Sequence, residues 1–217
     1  MNEAIEVCSS IVSKENVSDI CTLMFNAIST STKEIQSSDL RQIEDWIAMA
    51  KKEFPNDWKT RIQEAFLLDR QGKTAEAVKR LNAMDWDKLS EFEQGMVANN
   101  RAYLNLKLGM NGDVVADDLA IAFQNLGPKI EILDTRAMAS IEDKEFEDAI
   151  RDLNLATQFE PGSGRYHFHL ALAYQGSDNR AAAKEALESA KILGLGQSIS
   201  EPSEKSKYEK LLSWLEN

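Results

Sequence analysis

Alanines at fixed places constrain this chain more than any other feature of its sequence. Ala137, Ala149 and Ala156 recur thirty-four positions on as Ala171, Ala183 and Ala190, and Leu153 maps to Leu187 by the same shift. One step backward, Ala156 lands on Ala122 and Asp152-Leu153 on Asp118-Leu119, while Ala102 lies thirty-five before Ala137, so one residue is gained there. Gly72 to Val78 (GKTAEAV) reads as the same turn and second-helix start as Lys144 to Ile150 (KEFEDAI), with an insertion between these blocks assigned to Asp85–Ser90. Ala50 followed by Pro55 copies Ala156 followed by Pro161, which marks a degenerate unit before residue 57. A sequence repeating at this period does not form one large core. It forms a row of small units, each burying an apolar side on its neighbour.

The units are helical hairpins by their own pattern. In Leu133–Pro161, apolar or small residues at Leu133, Ala137, Met138 and Ile141, then at Phe146, Ala149, Ile150, Leu153 and Ala156, fall mostly three and four apart, which gives two amphipathic helices. The break falls at Glu142-Asp143-Lys144. So short a connection forces the helices antiparallel, alanines at the crossing permit close approach, and Phe146 and Leu153 fill the gaps beside them. Pro161 ends the second helix, and Gly162 and Gly164 supply the turn. With only 10 Gly and 4 Pro in 217 residues, long helices and short turns suit the whole chain. Helices are expected near 2–12, 17–31 and 39–53, the last capped by Ser38 or Asp39, with Ser29–Thr32 as a loop or a helix end. The last hairpin needs a cap, and 203–216, with Tyr208, Leu211, Leu212, Trp214 and Leu215 among Glu and Lys after Pro202, supplies it.

A period of about 34 residues with Ala at fixed places, a bulky residue between them and Pro at the end resembles the tetratricopeptide repeat (TPR) family. The resemblance covers about 57–197 and is most specific over 130–197. Arg136 stands where the family usually has Leu, and His167 where it often has Trp. Leu133-Asp134-Thr135 and Tyr166 to Ala171 also resemble the C-terminal repeats of bacterial envelope-associated TPR proteins, some of which serve polysaccharide export. The resemblance implies an all-α, right-handed α-α superhelix of hairpins: N-terminal helices with the degenerate unit in 1–56, repeats at 57–91, 92–129, 130–163 and 164–197, and a capping helix in 201–217.

In such an array the first helices of successive hairpins line a concave groove, so candidate partner contacts are first-helix residues beside the packing stripe. These are Lys59, Ile62, Gln63, Phe66 and Arg70, then Asn99, Asn100, Tyr103 and Lys107, then Asp134, Thr135 and Met138, then Arg165, Phe168, His169, Leu172 and Gln175. Asparagines there can donate to and accept from a peptide backbone, and Tyr103, Phe66 and Met138 can form pockets for apolar side chains. Equally, Asn99 and Asn100 can simply solvate a helix surface. Family members that bind chaperone tails use a basic, Asn-rich clamp for a terminal carboxylate. Only Asn100 resembles it, and Glu131 and Asp134 would repel that ligand.

Chemistry is otherwise sparse. His167 and His169, the only histidines, lie two apart on a helix and so point about 200° apart, which disfavours a metal pair; His167 is expected to pack between helices. There is no glycine-rich phosphate loop and no nucleophile motif, Asn111-Gly112-Asp113 reads as a turn and N-cap, and Asp117-Asp118 and Glu142-Asp143 read as solvated helix ends. Neither a catalytic role nor a cofactor is expected. Cys8 and Cys21 read as free thiols, and Asn16-Val17-Ser18 is too short a pattern to indicate glycosylation. The formal charge of −11, from 25 basic and 36 acidic side chains, argues against a nucleic-acid partner. It concentrates outside 58–127, which leaves the central groove the least acidic part. With no apolar run of membrane length and no secretory signal, the chain as it stands is expected in the cytoplasm, or in the periplasm or at the envelope if it is a fragment. The reading is a non-catalytic interaction module for a protein or peptide segment, with an assembly factor or chaperone of an envelope or secretion system, a signalling-peptide sensor, and last an enzyme as alternatives.

Overall fold

The computed structural model describes residues 2–30, 37–195 and 202–217. It is all-α among those residues and runs as consecutive helical hairpins. The chain divides into two units, Met1–Glu93 and Gln94–Asn217.

The first unit holds α1 (Asn2–Ile11), α2 (Val17–Thr30), α3 (Ser37–Glu53), α4 (Trp58–Arg70) and α5 (Thr74–Asn82), then a 3-10 turn at Trp86–Lys88 inside the expected insertion. Helix α3 starts slightly ahead of the expected Ser38/Asp39 cap, whose side chains lie outside the described residues, as do residues 31–36 that hold the end of the Ser/Thr cluster. Asp57 caps α4: its carboxylate accepts from the backbone N–H of Lys59 and Thr60 and from the hydroxyls of Thr60 and Ser18, which ties α4 to α2. Burial works against that carboxylate's charge, but these donors hold it below the usual range. Gln63 on α4 donates to Thr22 on α2 as well, at 2.7 Å. The core joins Val17, Ile20, Cys21 and Met24 with Ile43, Trp46, Ile47, Ala50 and Leu67. Cys8 and Cys21 are free and buried, and burial, helped by the charge of Asp57, pushes the Cys21 thiol up to about 12.

Helix α6 (Glu91–Lys107) opens on a capping box, in which the Ser90 N–H and hydroxyl both donate to Glu93 Oε2. From residue 94 the second unit continues with α7 (Asp113–Leu126), α8 (Ile130–Glu142), α9 (Phe146–Phe159), α10 (Gly164–Gly176), α11 (Arg180–Ile192) and α12 (Pro202–Glu216). Pairs α8/α9 and α10/α11 pack closely, and α9 packs on α10. Ala137, Ala149, Ala156, Ala171, Ala183 and Ala190 are all fully buried at these crossings, with Leu153 and Leu187 between them. A β-carbon at Gly176 would sit 2.1 Å from the Phe146 ring, so the glycine ending α10 makes room for the aromatic that opens α9.

Hairpin turns repeat as well. Gly72, Gly109, Lys144 and Asp178, each two to four residues before a second helix, all adopt the left-handed conformation, with φ of 77°, 71°, 64° and 56°. Two turns use glycine, and two place a side chain where glycine is favoured. Arg136, in the family's usual Leu position, forms a two-pronged ion pair with Asp152 across α8/α9, at 2.6 and 2.7 Å. Arg101 pairs with Asp118 across α6/α7 in the same way. Asn111-Gly112 forms the expected turn, but Gly112 takes the cap position and Asp113 is the first helical residue.

Candidate functional site

Helices α6, α8, α10 and α12 converge on a cavity of about 230 Å³ lined by Tyr103, Leu106 and Lys107 from α6 and Gly109 from the turn after it, Met138 and Glu142 from α8, Phe168, His169 and Leu172 from α10, and Glu204 and Lys207 from α12. The sequence spacing puts each set on one helix face: Tyr103 and Lys107 are four apart, Met138 and Glu142 are four apart, and Phe168 and Leu172 are four apart. The lining is apolar with charges at its rim. Lys107 Nζ stands 5.6 Å and the Arg165 guanidinium 5.2 Å from the Tyr103 ring centre, so two cations address one aromatic ring.

Beneath this cavity lies a charged chain of groups. His169, with its side chain 2% exposed, donates from Nδ1 to Asp134 Oδ1 at 2.5 Å, and its Nε2 faces Glu204 Oε1 at 3.7 Å. Arg165 Nη2 donates to the other Asp134 oxygen at 2.9 Å. Burial alone would neutralise all three titratable groups, but mutual attraction wins. His169 is raised above its ordinary value by Asp134 and Glu204, Asp134 is held low by His169 and Arg165, and Glu204 is held low by His169. Lys207 Nζ bonds Glu142 at 2.7 Å, and Tyr208 meets Phe168 with ring centres 6.0 Å apart.

Of the residues expected to meet a partner, Tyr103, Lys107, Met138, Phe168, His169 and Leu172 are thus brought to one cavity. Asp134, Thr135, Phe168 and His169 offer almost no surface of their own: all four are buried, and the Thr135 hydroxyl donates to the Glu131 carbonyl one turn back. Phe168 and His169 form wall rather than docking face, because Tyr208 and Glu204 of α12 stand against them, and Asp134 and Thr135 do not line the cavity. Asn100 donates to the Met96 carbonyl of its own helix, and Asn99 has its Oδ1 enclosed; neither lines the cavity. Phe66 and Arg70 belong to the first unit, where Phe66 packs against the α2/α3 core with the Arg70 guanidinium 5.8 Å from its ring.

Two expectations need correction. His167 does not pack between helices. Its Nε2 faces the Pro161 carbonyl at an exposed spot, at 3.3 Å, and His169 is the buried histidine, because α10 turns position 169 toward Asp134 on α8 and Glu204 on α12. Asp118 is not a solvated helix end: it lies inside α7, is buried, and pairs with Arg101, whereas Glu142 and Asp143 are exposed at the end of α8 as expected. Leu106, Gly109, Glu204 and Lys207 also escaped the sequence reading: the spacing marked Tyr208 and Leu211 as a buried stripe without showing that the polar residues one turn earlier continue it.

A larger cleft, about 780 Å³, opens between α7, α8 and α9, but its charged groups already serve one another: Arg136 with Asp152, Arg151 with Asp148, and Asn111 with Asp143. Among the described residues no group of His, Cys, Asp or Glu is arranged to hold a metal ion, and no helix is long and apolar enough to cross a membrane.

Comparison with known proteins places the architecture. No family model matches the chain, and no curated protein matches it by sequence. Among solved structures, it is similar to MamA 41-end from Desulfovibrio magneticus RS-1, at TM-score 0.56 and 16% identity over 85% of this chain and 94% of that one. It is also similar to YrrB, described as a TPR protein with an unusual peptide-binding site, at TM-score 0.50 and 13% identity over 83% of this chain and 89% of that one. The fold is TPR-like. In TPR terms, α8 and α10 are first helices of consecutive repeats, α9 and α11 are the second helices, and α12 is the closing helix. At this level of identity the likeness speaks for the fold alone.

Proposed function

We propose that the chain is a non-catalytic protein-interaction module that takes a protein or peptide segment against α6, α8 and α10, with Tyr103, Lys107 and Met138 making the first contacts. The observation that carries this reading is the cavity itself, where an aromatic ring flanked by cations, a methionine and a leucine from three first helices face one space. Such a lining suits an apolar side chain on a segment that also carries a carboxylate for Lys107 and Arg165. Met138 adapts its shape to different apolar groups, which favours segment recognition over a rigid small-molecule fit. The fold likeness to YrrB, a TPR protein with a peptide-binding site, adds support from outside the chain.

Panning a displayed peptide library on the immobilised chain tests this. The wild type enriches sequences with an apolar residue beside acidic ones, and a Tyr103→Ala, Met138→Ala double variant of unchanged helicity loses that enrichment. Equal enrichment on both proteins would refute the site.

A further inference from the structure

The closing helix carries a pattern of its own. Glu204, Lys207, Tyr208 and Leu211 stand at i, i+3, i+4 and i+7, one face of a helix; three of them meet a first-helix group, in that Glu204 faces His169, Lys207 bonds Glu142 and Tyr208 stacks edge-on to Phe168, and Leu211 is fully buried in the core. Phe168 and Leu172, two of the expected groove-facing positions, lie beneath it, and Glu204 and Lys207 form one wall of the cavity that Tyr103, Lys107 and Met138 complete. A helix that reads a groove through anchors at i, i+3, i+4 and i+7 is the ordinary helix-in-groove mode of peptide recognition, here made within one chain.

We propose that α12 is a built-in occupant of this groove, and that the partner which takes its place is an amphipathic helix with the same order of groups. That order is an acid for His169 and Arg165, a base three residues on for Glu142, an aromatic one residue further for Phe168, and an apolar residue three beyond. Charge complementarity selects this occupant over a plain apolar helix: the groove offers His169 and Arg165 at one end of the stripe and Glu142 a turn along, so the partner needs opposite charges in that order. The polar contacts of α12 sit at the accessible rim, with Glu204 25% and Lys207 36% exposed, whereas its apolar anchor Leu211 is buried. A competing helix therefore meets the more accessible end first. This inference rests on the reading of the second unit as a segment-binding groove and adds to it the chemistry of the segment and the internal competitor that regulates access.

The test uses the full chain with Glu204→Lys and Lys207→Glu together, which sets like charges at both rim contacts without touching the buried anchors. The probe is a fluorescein-labelled peptide of residues 202–217 in its native sequence, followed by anisotropy. The reversed chain binds the probe about tenfold more tightly than the wild type, whose groove is already filled, and a probe carrying Glu204→Lys loses that gain. Equal affinity for both chains, equal affinity for both probes, or a reversed chain that dimerises by exchanging α12 and does not bind the probe would each overturn the proposal. If circular dichroism shows the double reversal to be unfolded, Lys207→Glu alone carries the same comparison. Probe binding without library enrichment would fail the segment-binding reading only. Enrichment on the wild type with no gain of probe binding on the reversed chain would fail this inference only.

Discussion

His169 lies buried between two carboxylates with a proton affinity above its ordinary value, and the consequence for stability has two signs. A histidine whose folded value is raised contributes fully below its unfolded value of 6.5, and that contribution is lost as pH rises through the folded value. Asp134 and Glu204 are lowered from 3.8 and 4.5, so their contribution is complete above those values and is lost as pH falls through the folded ones. The network is therefore at full strength between about pH 4.5 and 6.5 and weakens on both sides. Urea melts of wild type and of His169→Gln across that range should show a wild-type advantage that is largest there and shrinks toward pH 9; an advantage growing with pH would contradict the assignment of a charged His169. None of this was legible in the sequence. Asp134 and His169 were visible as polar residues on helices thirty-five positions apart, but whether they meet depends on how α8 and α10 pack. Asp134 does most to hold the buried charge of His169, and Glu204, from a third helix, adds to it.

The hairpins, by contrast, were readable because the physics that makes them is local. Small residues at a fixed spacing have one structural use in an amphipathic pair, which is to let two helices cross closely, and Ala149 and Ala183 are fully buried where the spacing put them. Replacing Ala149 with Leu should overpack the α8/α9 crossing and cost about 1 to 3 kcal/mol, read as a lower urea midpoint with unchanged slope; an unaltered midpoint would remove Ala149 from the crossing. Less local devices stayed hidden. The Arg136–Asp152 tie replaces a usual apolar contact with an ion pair, and a departure from the Leu pattern says only that something differs, not what compensates. Lys144 and Asp178 take the left-handed turn position that Gly72 and Gly109 hold in the other hairpins, so residue type alone would not have found half of these turns.

In both units the face of a first helix is covered by a helix of the same unit: α2 over α4 through Ser18, Thr22, Asp57 and Gln63, and α12 over α10 through Glu204, Tyr208 and Leu211. For the closing helix the sequence named Tyr208, Leu211, Leu212, Trp214 and Leu215 as apolar residues, but a stripe does not say what it is buried against. That is why the expected groove residues split into wall and lining. Exposed apolar side chains also occur elsewhere in the second unit, with Phe159 70% and Ile192 85% exposed on the second helices α9 and α11, so a partner has another surface available. Photo-crosslinking decides between the two. A library-selected peptide carrying a benzophenone at its apolar position is bound to the wild-type chain, irradiated, and its adducts mapped by mass spectrometry. The account predicts adducts on Tyr103, Lys107 and Met138; adducts confined to Phe159, Ile192 and their neighbours would contradict it.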